Sequence, residues 1–245
     1  MDGYATMAGP SPTERGRPKV RLIAFHLPQF HPIPENDRWW EPGFTEWTNV
    51  TKAQPLFKGH LQPRLPADLG FYDLRLPEAR AAQAELARSF GIEGFCYWHY
   101  WFHGDRLLGR PLDEILASGQ PDFPFCLAWA NESWSRSWLG DDREILVGQT
   151  YSDEDDRAHA RWLSRVFADP RYIRIHGRPM LVVYRPLSLP DARRTTDTLR
   201  QDREERVIFI NAWNEWAEGM YLEPNRTFGH GYRNAVASVL EGIEP

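Results

Sequence analysis

Val207-Ile-Phe-Ile210, followed at once by Asn211-Ala-Trp-Asn-Glu-Trp-Ala-Glu-Gly219, is the stretch that decides the fold. Four consecutive apolar residues read as a strand buried on both faces, the pattern of a parallel sheet covered by helices. Asn211, Asn214, Glu215 and Glu218 begin where that strand should end. In parallel α/β sheets ligands gather beyond the carboxyl ends of the strands, so polarity switched on at this point predicts a site.

The same pattern recurs upstream. Val20 to Phe25 reads as a buried strand and runs into His26-Leu-Pro-Gln29-Phe-His31; Gly94 to His103 carries Trp98, His99 and Tyr100; Pro124 to Glu132 ends in Trp129, Asn131 and Glu132; Met180 to Pro186 ends in Tyr184 and Arg185. Helices are expected between them. Pro77 to Phe90 has Pro at its first position and Gly91 just past its end, and Leu112 to Ala117, Ser152 to Ala168, Asp191 to Gln201 and Tyr232 to Glu241 follow. Residues 32–73, rich in Pro and in aromatics such as Trp39-Trp40 and Phe44-Thr-Glu-Trp47, lack helical periodicity and read as a long functional loop.

Strands alternating with helices predict an α/β fold with a parallel sheet, and a (β/α)8 TIM-barrel-like arrangement leads because its site draws on several strand ends. Five strands are recognisable where a barrel needs eight. Between Arg185 and Val207 there is room for one helix, so the expected barrel is incomplete, with a segment missing there.

The 245 residues and 42% hydrophobic content suffice for a packed core. Residues 1–18 read as a disordered tail and 19–245 as a single domain. The 29 basic and 34 acidic residues are interspersed, which leaves no basic face for nucleic acid or anionic lipid. Cys96 and Cys126 sit in apolar runs, the usual place of reduced buried thiols. The first 18 residues lack an apolar leader core and no stretch approaches a membrane span of ~20 apolar residues, so the expected location is the cytoplasm.

Eleven tryptophans are the unusual count. Many stand beside Asn, Glu or His, and a pyranose offers an apolar C–H face to such rings and hydroxyls to their polar neighbours. Trp40, Trp47, Trp98, Trp129, Trp213 and Trp216 are therefore expected to include several walls of one sugar cleft. Glu215 and Glu218 would be brought together by a helical turn, and paired carboxyls are the usual apparatus of glycosyl chemistry. His26, His31, His99 and His103 lack metal-ligand spacing, and no phosphate loop, serine elbow or dinucleotide fingerprint is present, so no metal or cofactor is expected. Asn131-Glu132 reads as either a loop cap or a substrate contact.

Leu27-Pro-Gln-Phe-His-Pro-Ile-Pro-Glu-Asn-Asp37, Gly43-Phe-Thr-Glu-Trp-Thr-Asn-Val50, Gly94-Phe-Cys-Tyr-Trp-His-Tyr100, Ala128-Trp-Ala-Asn-Glu132 and Asn211 to Gly219 resemble the WbsX-type, glycoside-hydrolase-family-99-like proteins. The resemblance covers nearly the whole chain after residue 18. It implies a (β/α)8 barrel and a role in carbohydrate metabolism, often beside polysaccharide or lipopolysaccharide assembly genes. Relatives similar at Asn214-Glu215-Trp216 and Glu218-Gly219 are retaining endo-α-mannosidases. In them the first glutamate acts as a base toward the sugar's own 2-hydroxyl and the second protonates the leaving oxygen. The resemblance thus implies Glu215 as base and Glu218 as acid. Ala217 stands where those hydrolases carry histidine, and His26 where WbsX-type relatives usually carry tyrosine.

The partner expected is a glycan, contacted by His26, Gln29, His31, Trp47, Trp98, His99, Tyr100, Trp129, Asn131, Glu132, Tyr184, Asn211, Trp213, Asn214 and Trp216. Three readings follow: a hydrolase of glycosidic bonds, a non-catalytic sugar-binding remnant of the barrel, and a WbsX-type glycosyltransferase of surface polysaccharide biosynthesis. A gap in the sheet would leave two unpaired strand edges, which predicts a weakly stable monomer or a homo-oligomer whose second copy covers the gap.

Overall fold

The computed structural model describes residues 20–136, 141–189, 207–232 and 234–236. The tail at 1–18, the helix expected from Asp191 to Gln201 and most of that from Tyr232 to Glu241 lie outside them.

Five strands form one parallel sheet: β1 (Arg21–His26), β2 (Gly94–Phe102), β3 (Phe125–Trp129), β4 (Leu181–Val183) and β5 (Val207–Ile210). Their spatial order is β5-β1-β2-β3-β4. Successive strands are neighbours and the last lies beside the first, as in a barrel closing on itself. Among the described residues β4 and β5 each have one neighbour in the parallel sheet, so the circle is open between them. Residues 190–206, between these two edges in the chain, lie outside the described residues. The fold is an incomplete (β/α) barrel.

Register fixes which side chains share a face. Phe95 lies opposite Phe125, Tyr97 opposite Leu127 and His99 opposite Trp129, while Ala24 and His26 lie opposite Phe95 and Tyr97. With a side-chain period of two, these residues point one way and Cys96, Trp98 and Tyr100 the other. The first set meets the helices α3 (Pro77–Ser89), α4 (Arg110–Ser118) and α5 (Asp153–Phe167) through Ala84, Ala87, Ile115, Leu163 and Val166. The second faces the barrel interior, where Phe25 stacks on Trp98 at 4.8 Å and on Phe209 at 5.4 Å. Cys96 and Cys126 are buried, free and opposite one another.

The caps of the long helices follow their sequence signals. Pro77 opens α3, Gly91 just past it has φ +79°, and the Ser152 side chain accepts the Asp155 N–H at the start of α5. Residues 32–73 need correction, since they hold two short helices, α1 (Pro34–Trp39) and α2 (Glu46–Lys52). Neither spans two full turns, too little for an apolar period to register. Thr45 precedes α2 and its N–H donates to Thr48 Oγ1 at 3.2 Å.

The loop and the chain beyond β5 build a second core from Phe30, Trp47, Val50, Tyr72, Leu74, Trp216 and Tyr221. It is pinned by the buried Glu223 carboxylate, which accepts from Tyr72 Oη at 2.9 Å, Gln83 Nε2 at 3.0 Å and Trp216 Nε1 at 2.7 Å. Among the described residues no helix is long and apolar enough to cross a membrane.

Candidate active site

The chain leaving β5 is tied at once to β1 and to the residue just past its end. Trp213 N–H donates to the Phe25 carbonyl at 2.8 Å, and the Asn214 side chain brackets the Leu27 backbone, accepting its N–H at 2.8 Å and donating to its carbonyl at 3.2 Å. Asn214–Glu215 then pairs antiparallel with Met220–Tyr221. The expected helical turn is a hairpin, closed by Gly219 N–H on the Trp216 carbonyl at 3.1 Å with Gly219 at φ +74°. A reverse turn, not a helix, carries the two carboxyls.

Glu215 is buried and accepts the Trp98 indole N–H at 2.8 Å. Burial raises its pKa, the Trp98 bond opposes this, and the Glu218 charge adds to the rise. Tyr184 meets Trp98 edge-on at 5.6 Å. Glu218 is exposed and lines an open cleft of about 520 Å³ with Trp40, Phe44, Asn49 and Lys52. Phe44 stacks on Trp40 at 5.6 Å, and the Arg136 guanidinium lies 5.4 Å over the same indole. Tyr100, on the interior face, has its phenol pushed up by burial and by the charges of Glu215, Glu46, Glu218 and Glu132.

Glu46 belongs to this group and was missed. It is 1% exposed at the start of α2, and its Oε1 accepts the backbone N–H of Ala217, between the two glutamates, at 2.9 Å. Burial raises its pKa to about 7; the Ala217 bond lowers it, and the charges of Glu218 and Glu215 raise it. Its local mark in the sequence was its place in the Gly43–Val50 stretch. Nothing in the sequence connects Glu46 to a turn far along the chain.

Several expected contact residues are placed elsewhere. Trp213 is fully buried in the main core against Phe90 and Phe95. Trp216, 1% exposed, stacks on Tyr221 at 3.9 Å, and Trp47 is buried with its Nε1 on the Tyr72 carbonyl at 2.9 Å. Trp129 faces the helices, edge-on to His159 at 4.8 Å. Of the six tryptophans expected around a cleft, these four are packing residues, and only Trp40 and Trp98 stay part-exposed.

His26, His99 and His31 are also corrected. The first two are buried on the helix side, because they alternate with Phe25 and Trp98. His26 Nε2 lies 3.1 Å from Gln83 Oε1, and burial lowers its pKa to about 4. His99 Nε2 lies 3.0 Å from His159 Nε2 while its ring stacks on Trp162, and burial holds its pKa well below the usual range. His31 is buried with Nδ1 on the Pro28 carbonyl at 2.9 Å.

Asn131 is a buried strap, corrected from a contact: its Oδ1 accepts Arg185 N–H at 2.7 Å and its Nδ2 donates to the Arg185 carbonyl at 2.9 Å. Asn214, 0% exposed, is a strap likewise. Glu132 pairs with Arg185 at 2.6 Å. Gln29 is half-buried and offers its backbone carbonyl to Glu46 N–H at 2.8 Å, and Asn211 is exposed beside Met220. Among the described residues no three His, Cys, Asp or Glu side chains are grouped to hold a metal.

An incomplete (β/α) barrel with a carboxylate cluster past its last strand is the class that fold and site define. Residues 22–205 and 197–236 match the family model described as Glycosyltransferase WbsX, and the chain belongs to that family. It is 52% identical over 170 residues to the uncharacterized protein WxcX of Xanthomonas campestris pv. campestris, in strain B100 and in strain ATCC 33913 alike. That alignment covers 69% of this chain and 24% of each relative, so the chain spans about a quarter of the length of the curated relatives it matches. Among solved structures, two of the GH99 endo-alpha-mannosidase from Bacteroides thetaiotaomicron, one in complex with BIS-TRIS-propane, align at 16% identity with TM-scores of 0.40 and 0.38. Each alignment covers 67% of this chain, and 42% and 45% of those chains respectively.

Proposed function

We propose that this chain acts on glycosidic bonds of a polysaccharide- or lipopolysaccharide-type glycan, with Glu215 as base and Glu218 as acid. The observation that carries the reading is the placement of the pair: Glu215 buried on the Trp98 indole at 2.8 Å, and Glu218 exposed in the adjoining cleft. A buried carboxylate of raised pKa is a stronger base, as removal of a sugar hydroxyl proton requires. Glu215 takes the 2-hydroxyl proton as that oxygen closes on the anomeric carbon, and Glu218 gives its proton to the departing oxygen. Trp98 and Tyr184 flank the sugar that reacts, and the cleft with Trp40, Phe44 and Asn49 receives the leaving portion. Transfer to a second sugar hydroxyl uses the same pair, in keeping with the family's description.

The open circle between β4 and β5 favours a second reading, sugar binding without turnover, because water entering the interior weakens the charge interactions catalysis needs. A glycan array followed by mass analysis of products on each hit separates the two. Product from a bound glycan supports the enzyme. Binding with no product supports the remnant, and no binding to any glycan removes both.

A further inference from the structure

We propose that Glu46 is a third functional carboxyl of this site, a positioning residue that seats the Glu215–Glu218 turn through the Ala217 N–H and couples its own charge to both glutamates. The inference deepens the acid/base reading and rests on it. The turn is held from two sides: Glu46 Oε1 accepts the Ala217 N–H at 2.9 Å, and Arg64 Nη1 donates to the Gly219 carbonyl at 3.2 Å. Arg64 is tightly seated too, since a Cβ on Gly219 would lie 2.9 Å from its Nη1. Ala217 immediately precedes Glu218 in the turn, so a shift of its amide moves Glu218.

The second observation is what the remainder of Glu46 does. Its Oε2 is buried and makes no hydrogen bond to any described residue. Half of a buried carboxyl is thus left without a hydrogen bond among the described residues. The charged and titratable groups that act on it are Glu218 and Glu215 from the hairpin, and Tyr100 from β2 feels all three carboxyls. Protonated, Glu46 holds the Ala217 amide through its carbonyl oxygen and leaves an O–H free for a glutamate or a sugar hydroxyl. Ionised, it adds a negative charge beside two others and drives them apart, so its proton is part of the seating.

The test reads side-chain carboxyl resonances by NMR on the full chain, titrated from pH 4 to 9 in wild type, Glu46→Gln, Glu46→Ala, Glu215→Gln and Glu218→Gln. Glutamine keeps the oxygen that accepts from Ala217 and removes the titration. The expected result is that, of the two carboxyls raised to near neutrality, Glu46 and Glu223, one is lost in both Glu46 variants, and that its midpoint falls in Glu215→Gln and Glu218→Gln, which remove the charges that raise it. The Ala217 amide resonance should stay in place in Glu46→Gln and move in Glu46→Ala. A Glu46 midpoint unchanged in Glu215→Gln and Glu218→Gln, or an Ala217 amide indifferent to both Glu46 variants, overturns the proposal. No substrate is used, so failure of the glycosidic reading, judged by product analysis, is a separate outcome.

Discussion

The indole of Trp98 donates to the carboxylate of Glu215 at 2.8 Å across the interior of the sheet, joining the second strand to the hairpin that follows the last. Trp98 is itself clamped, face to face with Phe25 at 4.8 Å and edge-on to Tyr184 at 5.6 Å. An aromatic side chain that sequence offers as a sugar platform is thus first a hydrogen-bond donor that sets the charge state of a buried acid. Trp98→Phe keeps the stack and deletes the donor. Hydrogen bonds to charged groups are worth about 1.5–3 kcal/mol, so the variant should lose that much where Glu215 is ionised, at pH 8, and less at pH 5, which lies nearer its raised pKa. Urea unfolding at the two pH values checks it; an equal loss at both would mean the bond does not discriminate the ionised form.

Glu215→Gln and Glu218→Gln should each lower turnover by about 10²–10⁴-fold or more on any glycan the parent cleaves, since each removes a proton-transfer role. Their stabilities should part company. Glu215→Gln removes a buried charge and should be neutral or stabilising at pH 8, whereas Glu218, exposed, should leave the unfolding midpoint where it is. Wild-type rates in either variant would take that residue out of the mechanism.

The pH profile of stability follows from groups on opposite sides of neutrality. Glu46 and Glu223 are raised by burial to about 7, above their unfolded values, so their contribution is complete below about pH 4.5 and is lost as pH rises through 7, roughly 3 kcal/mol each. His26 and His159 are lowered by burial to about 4 and about 3, so their contribution is complete above pH 6.5 and is lost as pH falls toward those values. His99 and His31 shift the same way. A stability maximum near pH 6–7 is expected, falling on both sides, with Glu46→Gln removing its share of the decline between about pH 4.5 and 7. Chemical denaturation midpoints from pH 4 to 9 read this directly, and a profile still rising from pH 7 to 9 would contradict it.

Gly94 opens β2 where the chain passes beneath Pro124. A Cβ there would lie 2.5 Å from the Pro124 carbonyl oxygen and 2.9 Å from Ile173 Cδ1, and the first of these is backbone that cannot swing away. Gly94→Ala should therefore destabilise by about 1–3 kcal/mol, the range of overpacking in a tight core. A thermal midpoint equal to wild type would show that the β2–β3 pairing has slack at this end.

What was legible in the sequence were the elements whose signal is local and long. Val207–Ile210 is a strand with the bounds its apolar run gives, and α3 and α5 begin at the Pro77 and Ser152 signals. The short span after Arg185 foretold the open circle. The face of each residue on β2 was not legible, because Gly94 to Phe102 is almost wholly apolar or aromatic and hides its alternation; hence Trp98 and His99 read alike, though one meets Glu215 and the other α5. The tryptophans misled for a related reason. A polar neighbour in sequence was read as a sugar-binding edge, but Trp47 and Trp216 satisfy their indole N–H groups inside the second core, on Tyr72 and Glu223. Glu46 was invisible because its partner amide belongs to Ala217, brought near only by the fold.

The open circle carries the last prediction. β4 and β5 each pair on one side within the described parallel sheet, and Val182, Phe209 and Phe25 are only partly buried around the interior. Unpaired edges invite pairing with another chain, and apolar faces intended for a closed interior add area to such a contact. Association of two copies across the gap is the expected outcome, visible as a sedimentation coefficient that rises with concentration in the micromolar range. Val182→Lys places a charge on the interior face of the β4 edge, where a second copy would dock, and should return the chain to a monomer without disturbing Glu215, which is held from β2. A parent that sediments as a monomer at every concentration and unfolds cooperatively would mean that the chain closes its own gap, and the binding-only reading would lose the observation that favours it.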